Sequence, residues 1–518
     1  MKKELLKFAS SVGLATLISR ILGYIRDGVV AYAFGANFLA DSFYAAFRIS
    51  NLFRRLLGEG ALSASFVPVF GQYLVKNSEQ ETKKFFQTIF TTLLIVLIVI
   101  CALGVIFAPQ LTKLITWGFT TFPGKLELTV QLTRIMFPFL LFISMAALLM
   151  GVLNSLKVFF IPAISPAFLS ISEIGCVFIV LPFIHSEQRI LALAVSVVVG
   201  GMGQFIIQLI ALIKKGIKPV WKFSLSHPGQ KQVMLLMLPA MIGLSVDQIN
   251  TFVDTICASF LQQGSITALY YSNRIMQLPL AIFGISLASV CLPNMSKSVA
   301  KNDIPQLKET LNYSLRIMIL AILPATVGLI VLNKPIIQLL FERGRFDSFA
   351  TLITASSLMF YSLGLIAYSG VKIIANCFYA FQDTKTPLKI GYVAMIVNIT
   401  LNIILMRPLG VGGLALATAI SSWINIILLA YFLRKKIGFL GLKSIFGAVG
   451  KIFIASIIMG VAAYYLAFFV FVSYIFLQVL ASIACAAVIY VLMLKVFKLK
   501  ELTDILQMAR KETIAGNE

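Results

Sequence analysis

The chain has 518 residues, of which 59% are hydrophobic and only 12% charged, and its mean hydropathy is +0.95. That balance excludes a water-soluble enzyme and an unstructured chain, and it makes a lipid bilayer the solvent. The formal net charge of +23 is sorted along the chain in a way that leaves no need for a nucleic-acid partner.

About fourteen segments are long enough to cross a bilayer at roughly 20 residues each. In chain order they cover 9–33, 38–75, 84–117, 125–154, 159–184, 189–214 and 230–262, then 265–298, 305–333, 347–380, 386–406, 411–434, 444–470 and 473–497. The longest must tilt, kink or protrude into water. The expected fold is an all-α polytopic membrane protein. The first segment is not expected to be a removable leader, because polar and charged residues interrupt MKKELLKFASSVGLATLISR before a convincing cleavage site.

Lysines and arginines in the connections set the orientation. With the N terminus inside, one side collects Lys2, Lys3, Lys7, Lys83, Lys84, Lys214, Lys215, Lys218, Lys222, Lys297, Lys301, Lys308, Arg434, Lys435 and Lys436, and the tail adds Lys495, Lys498 and Lys500. The other side holds Lys125, Arg189, Lys334, Arg343, Arg345 and Arg407. About 27 basic residues against about 6 obey the positive-inside rule and put both termini in the cytoplasm. The six cysteines are scattered with no CxxC spacing and read as small packing residues. His185 and His227, one on each predicted side, do not suggest a metal centre.

The basic stretch KKGIKPVWKFSLSHPGQK, residues 214–231, separates six segments from eight. It reads as a plain linker lying on anionic headgroups, with an amphipathic helix as the alternative. An internal repeat supports the division. RISNLFRRLLGEGALSASFVP begins at Arg48 and RIMQLPLAIFGISLASVCLP at Arg274; Arg, Ile, Leu and Gly coincide, and Pro68 and Pro293 match after a one-residue gap. The expected domains are an N-lobe at 1–217, a C-lobe at 218–436, and two further helices with a tail at 437–518. Repeated halves are the usual construction of secondary transporters, with the substrate between them.

Five arginines lie inside apolar helical sequence within the first 60 residues: Arg20, Arg26, Arg48, Arg54 and Arg55. A guanidinium near the bilayer centre costs at least about 2.5–3.5 kcal/mol and normally faces protein or a watery cavity. It cannot escape by losing its proton. The set therefore points to a cavity for a large anion. Asp27, seven residues after Arg20 on nearly the same helix face, is a candidate partner for an arginine. Asp41 opens the second segment as an N-cap or a gate residue, and Glu59 in GEGALS sits at a glycine-flanked break where a helix can bend.

SRILGYIRDGVVAYAFG, ADSFYAAFRISNLFRRLLGEGALSASFVPVF, YYSNRIMQLPLAIFGISLASVCLP, LFERGRF and FQDTKTPLKI, in that order, resemble the MurJ (MviN) lipid II flippases of the multidrug/oligosaccharidyl-lipid/polysaccharide exporter superfamily. The resemblance covers about residues 8–430. It implies two six-helix lobes facing each other and two C-terminal helices forming a lipid-facing groove. It also implies that Arg20, Arg26 and Arg54 on one lobe and Arg274 on the other hold the diphosphate of lipid II, and that Asp27 belongs to a charged pair. Guanidinium forks suit phosphate oxygens. Where some members carry acids beside the second arginine segment, this chain has Asn273 and Gln277. LFERGRF falls on the outer side, as a gate or a surface salt bridge.

Coupling has two candidates. Asp254, Asn398, Asn402 and Thr418 offer the oxygen donors a sodium ion prefers, and some members of the family have such a site. Membrane potential is the other, at roughly 2.3 kcal/mol per charge per 100 mV. No other cofactor is expected. The partners implied are lipid II and membrane lipids, in the bacterial cytoplasmic membrane, with the chain acting as a monomeric transporter rather than an enzyme. A flippase for another lipid-linked oligosaccharide would share the phosphate logic. A multidrug cation exporter of the same fold would present acids and aromatics instead, and a prenyl-phosphate transferase would need a motif such as DDxxD, which is absent.

Overall fold

The computed structural model describes residues 2–54, 60–224, 227–441, 443–470, 474–499 and 501, and every described element is helical. The first part of the chain forms α1 (Lys2–Phe34), α2 (Phe38–Phe53), α3 (Ser63–Lys76), α4 (Glu79–Ile106), α5 (Ala108–Ile115), α6 (Lys125–Met136), α7 (Phe139–Ser155), α8 (Phe160–Ile164), α9 (Ala167–Gly175), α10 (Arg189–Lys214) and α11 (Pro228–Ser259). The remainder forms α12 (Ser265–Pro279), α13 (Ser286–Ala300), α14 (Ile304–Val331), α15 (Asn333–Phe341), α16 (Ser348–Leu363), α17 (Leu365–Ala380), α18 (Lys385–Ile437), α19 (Lys443–Tyr465) and α20 (Ile475–Val496).

Among the described residues, ten helices or helix runs are long and apolar enough to cross a membrane. The sequence reading counted more: the predicted segments 9–33, 38–75 and 230–262 are not in that set. In addition, α18 is one continuous run of 53 residues that turns at Gly410 (φ 55°, ψ −133°), where two predicted segments meet. The close packing of Gly413 on the Leu405 carbonyl leaves no room for a side chain at that turn.

Contacts divide the chain into two compact units, Met1–Thr267 with Arg343–Asp347, and Ala268–Glu342 with Ser348–Glu518. In the first, an aromatic stack of Phe66, Phe70 and Phe85 packs with Leu148, Leu149 and Val152, joining α3, α4 and α7. The loop after α15 also belongs to this unit: Arg345 N–H donates to the Tyr32 carbonyl at 3.0 Å. Gly35 and Gly344 have φ of +71° and +61°, and a side chain on either would collide with the other strand of this clasp. In the second unit, Ile452, Met459 and Ala463 of α19 and Tyr490 of α20 pack on α14, where the Tyr490 hydroxyl donates to the Leu320 carbonyl at 2.7 Å.

The stretch after α10 is non-helical over residues 217–224, so it is not an amphipathic helix there. It is pinned along α4: Gln87 Nε2 donates to the Lys218 carbonyl (3.2 Å) and Lys222 N–H donates to Thr91 Oγ1 (3.0 Å). His227 then caps α11, its Nδ1 accepting from Gly229 N–H at 3.2 Å. Five cysteines are buried, as packing residues should be, but Cys485 on α20 is exposed.

Between α17 and α18, Asp383 accepts from Lys436 Nζ (2.8 Å), Thr386 Oγ1 (2.9 Å) and Thr386 N–H (3.1 Å). Burial alone would raise the Asp383 carboxyl; these donors and the Lys436 charge outweigh it and hold it below its ordinary value. Its stabilisation is therefore complete above the unfolded carboxylate pKa of about 3.9 and fades as pH falls through the lowered folded value. Asp383→Asn should lower stability by about 1 kcal/mol at pH 7. Thermal unfolding of both proteins should show that gap closing in acid below about pH 4.

Candidate functional site

Arg26 and Asp27 lie side by side on α1, 7% and 1% exposed. Neighbouring residues leave a helix about 100° apart, so the long arginine side chain must bend back to meet the carboxylate. It does so: Arg26 Nη2 and Nε donate to Asp27 Oδ1 at 2.6 and 3.0 Å. Arg26 Nη1 also lies 3.5 Å from Oε1 of Glu173, a buried residue of α9, the helix packed along α1. One guanidinium thus sits between two carboxylates in an apolar interior. Arg20, two turns earlier on α1, is exposed.

Asn37, not Asp41, caps α2: its Oδ1 accepts from Leu39 and Ala40 N–H at 2.9 and 3.3 Å. Asp41 lies inside the first turn, 1% exposed, and is a hub. Its Oδ2 accepts from Lys125 Nζ (3.0 Å) and Gly264 N–H (2.8 Å), and its Oδ1 from Thr267 N–H (3.0 Å) and Thr267 Oγ1 (2.9 Å). Lys125 is itself 1% exposed, with Nζ 4.1 Å from the Phe119 ring centroid and 5.2 Å from that of Phe122. The sequence reading had counted Lys125 as a residue of an outer connection.

Further along α2, Arg48 Nη1 donates to Thr255 Oγ1 of α11 at 2.8 Å, beside Asp254. Arg54, half-buried at the end of α2, donates through Nε to Asn51 Oδ1 at 2.7 Å. Glu59 lies outside the described residues. In the second unit Arg274 is half-buried on α12, flanked by Asn273 and Gln277, whose amides bond each other at 2.6 Å. Both repeat copies carry π-helical winding, at residues 54 and 60–62 and at Leu280–Ile285. Such turns occur frequently at functional sites.

The candidate cation ligands fall in both units. Asn398, Asn402 and Thr418 come together where α18 folds back: Asn402 Nδ2 donates to Asn398 Oδ1, and Asn398 Nδ2 to Thr418 Oγ1, each at 3.2 Å. Asp254 belongs to the first unit. The donors are all oxygens of the kind a hard cation takes. Among the described residues no group of three or more His, Cys, Asp or Glu forms a metal site.

A sequence profile described as "Lipid II flippase MurJ" matches residues 30–485. The chain belongs to the MurJ lipid II flippase family. The probable lipid II flippase MurJ of Vibrio cholerae is 38% identical over 465 residues, 87% of this chain and 88% of its own length. The lipid II flippase MurJ of Burkholderia cenocepacia is 36% identical over 425 residues, 81% and 82% of the two chains. A solved structure, "Lipid II flippase MurJ, inward closed conformation", superposes with a TM-score of 0.80 at 28% identity, covering 94% of this chain and 98% of the other. An inward-facing MATE multidrug transporter of the MOP superfamily shares the fold, with a TM-score of 0.68 at 14% identity over 81% of this chain and 95% of its own. The chain is therefore a multi-pass membrane protein of a transporter family.

Sequence reasoning about this MurJ-family chain missed Glu173 and the burial of Lys125. A carboxylate within the apolar run AFLSISEIGCVF was the available signal for Glu173. Asp41→Asn should leave Lys125 charged, buried and without its counter-ion, at a cost of about 3–5 kcal/mol. Asp41→Asn combined with Lys125→Met should recover most of that, because it removes the unpaired charge while the amide oxygen still accepts from the backbone N–H groups at the start of α12. Thermal unfolding of the detergent-solubilised proteins measures both, and a double variant no better than Asp41→Asn would contradict the ion-pair account.

Proposed function

We propose that this chain moves lipid II from the cytoplasmic to the outer leaflet of the bacterial cytoplasmic membrane by alternating access. The match of the family over residues 30–485, with relatives named for lipid II, carries the reading. Arg20, Arg26 and Arg54 on one lobe and Arg274 on the other hold the diphosphate. The lobes are 1–217 and 218–436, and residues 437–518 guide the prenyl tail. Both termini are cytoplasmic, by the sorting of lysine and arginine, and one chain suffices.

The chemistry follows from competition for guanidinium. Arg26 is held by Asp27 and Glu173, so an entering diphosphate replaces carboxylates as its counter-ion rather than meeting a bare charge. The exchange keeps Arg26 compensated at every stage, which a low-dielectric site requires. Asp41 and Glu59 serve the gate: Asp41 fixes the start of α12, the helix that carries Arg274. Asp254, Asn398, Asn402 and Thr418 would hold a sodium ion, which supplies positive charge and a gradient for resetting the carrier. Membrane potential acts on the same arginines.

A multidrug cation exporter is disfavoured by arginine itself, since its fold relative matches at only 14% identity and a cationic drug would be repelled. Cells depleted of their own flippase and supplied with this chain should regain lipid II on the outer face. At equal membrane abundance, Arg274→Ala should reduce that exposure about tenfold or more, the worth of a charge-assisted phosphate contact. Normal exposure in the variant would remove Arg274 from the site. A wild type that inserts but restores nothing would redirect the search to another prenyl-diphosphate glycolipid.

A further inference from the structure

A cavity of about 460 Å³ lies between α5 and α6, and none of the arginines discussed above lines it. Gln110 and Lys113 line it from α5, and Glu127, Gln131 and Arg134 from α6. The register of the two helices is fixed behind the cavity by Thr112 Oγ1 donating to Thr133 Oγ1 at 3.2 Å, both residues buried. The next residue on each helix is a cation, and Lys113 and Arg134 are both exposed and line the same groove. Neither has a carboxylate within ion-pair distance among the described residues. Glu127 is seven residues before Arg134 on the same helix, about 10.5 Å along its axis, too far to neutralise it.

Depth makes this pair informative. Arg134 closes the polar stretch KLELTVQLTR and is followed directly by the apolar run IMFPFLLFISMAALLMGV of the candidate span Lys125–Ser155, so it stands at the edge of the bilayer-crossing part of that run. Exposed arginine at that level normally faces a watery cavity or reaches for headgroups. Trp117, exposed one turn beyond Lys113 with its ring centroid 5.9 Å from Lys113 Nζ, is the kind of aromatic that marks the bilayer interface. Exposed Ile106, Phe107 and Leu114 continue the surface with apolar side chains.

We propose that this groove binds the phosphate of an anionic phospholipid of the outer leaflet. Lys113 and Arg134 take the phosphate oxygens, and the Gln110 and Gln131 amides donate to the remaining ester oxygens. Glu127 accepts from a hydroxyl-bearing headgroup, and the acyl chains run along the apolar surface beside Leu114. The site is independent of the lipid II reading, since none of its residues belongs to the arginine set of that mechanism.

Trp117 supplies the readout. Full-length protein carrying Trp221→Phe and Trp423→Phe retains Trp117 as its single tryptophan. In neutral detergent, phosphatidylglycerol with brominated chains should quench Trp117 at about tenfold lower concentration than brominated diacylglycerol, which lacks the phosphate. Lys113→Gln with Arg134→Gln should bring the two lipids to the same half-quenching concentration. Lys113→Arg with Arg134→Lys keeps both charges and should preserve the difference, and Glu127→Gln should enlarge it for brominated phosphatidic acid, whose headgroup has no hydroxyl beyond the phosphate. Equal quenching by the two lipids in the parent protein, or an unchanged preference in the folded glutamine variant, overturns the proposal. Relief of quenching by millimolar inorganic phosphate, abolished in the glutamine variant, would support the phosphate site and assign it to a soluble anion as well.

Discussion

A charge that leaves water for the interior of an apolar bundle must have its counter-charge with it, and the first unit is organised around that requirement. Arg26 is enclosed by Asp27 and Glu173, and Lys125 by Asp41 with three aromatic rings, those of Phe38, Phe119 and Phe122. Each assembly joins helices that are distant in sequence, α1 with α9 and α2 with α6. Replacing such a pair by apolar residues is often neutral or stabilising, whereas removing one partner is severe. Stability alone therefore gives little reason to retain them. Under the proposed function the Arg26 assembly has another use: a buried cation that already has carboxylate partners can exchange them for a substrate's phosphates without passing through a bare state.

Asp41 shows how one side chain turns this into architecture. Its two oxygens use four donors, two of them backbone N–H groups at Gly264 and Thr267, where α12 begins. A backbone N–H in the first turn of a helix has no partner within the helix, so the carboxylate answers two needs at once. It neutralises Lys125 and completes the start of the helix that bears Arg274.

Much of the fold was legible in the chain because its signals are local. Membrane-length apolar runs locate the helices, and both segments of the sequence repeat, around Arg48 and Arg274, carry π-helical winding. Asn37 before an apolar run was a readable cap, although the nearby acid Asp41 drew attention from it. Pairings across long separations were not legible: Asp41 meets Lys125 across 84 positions, and helical periodicity says nothing of which helix faces which. Lys125 was for that reason read as a topology signal, and Glu173 went unnoticed. The convergence of Asn398, Asn402 and Thr418 was half-legible, since only the backward turn at Gly410 brings positions 20 residues apart into contact.

The cysteines have a practical consequence. Five are enclosed by packing, and Cys485 alone has an exposed surface, on α20. Cys485 lies ten residues into the apolar helix Ile475–Val496, so its open side faces lipid and not water. Maleimides react with a thiolate in water, so the native protein in a bilayer should be nearly silent to them, a ready background against which one cysteine introduced in an aqueous loop reports alone.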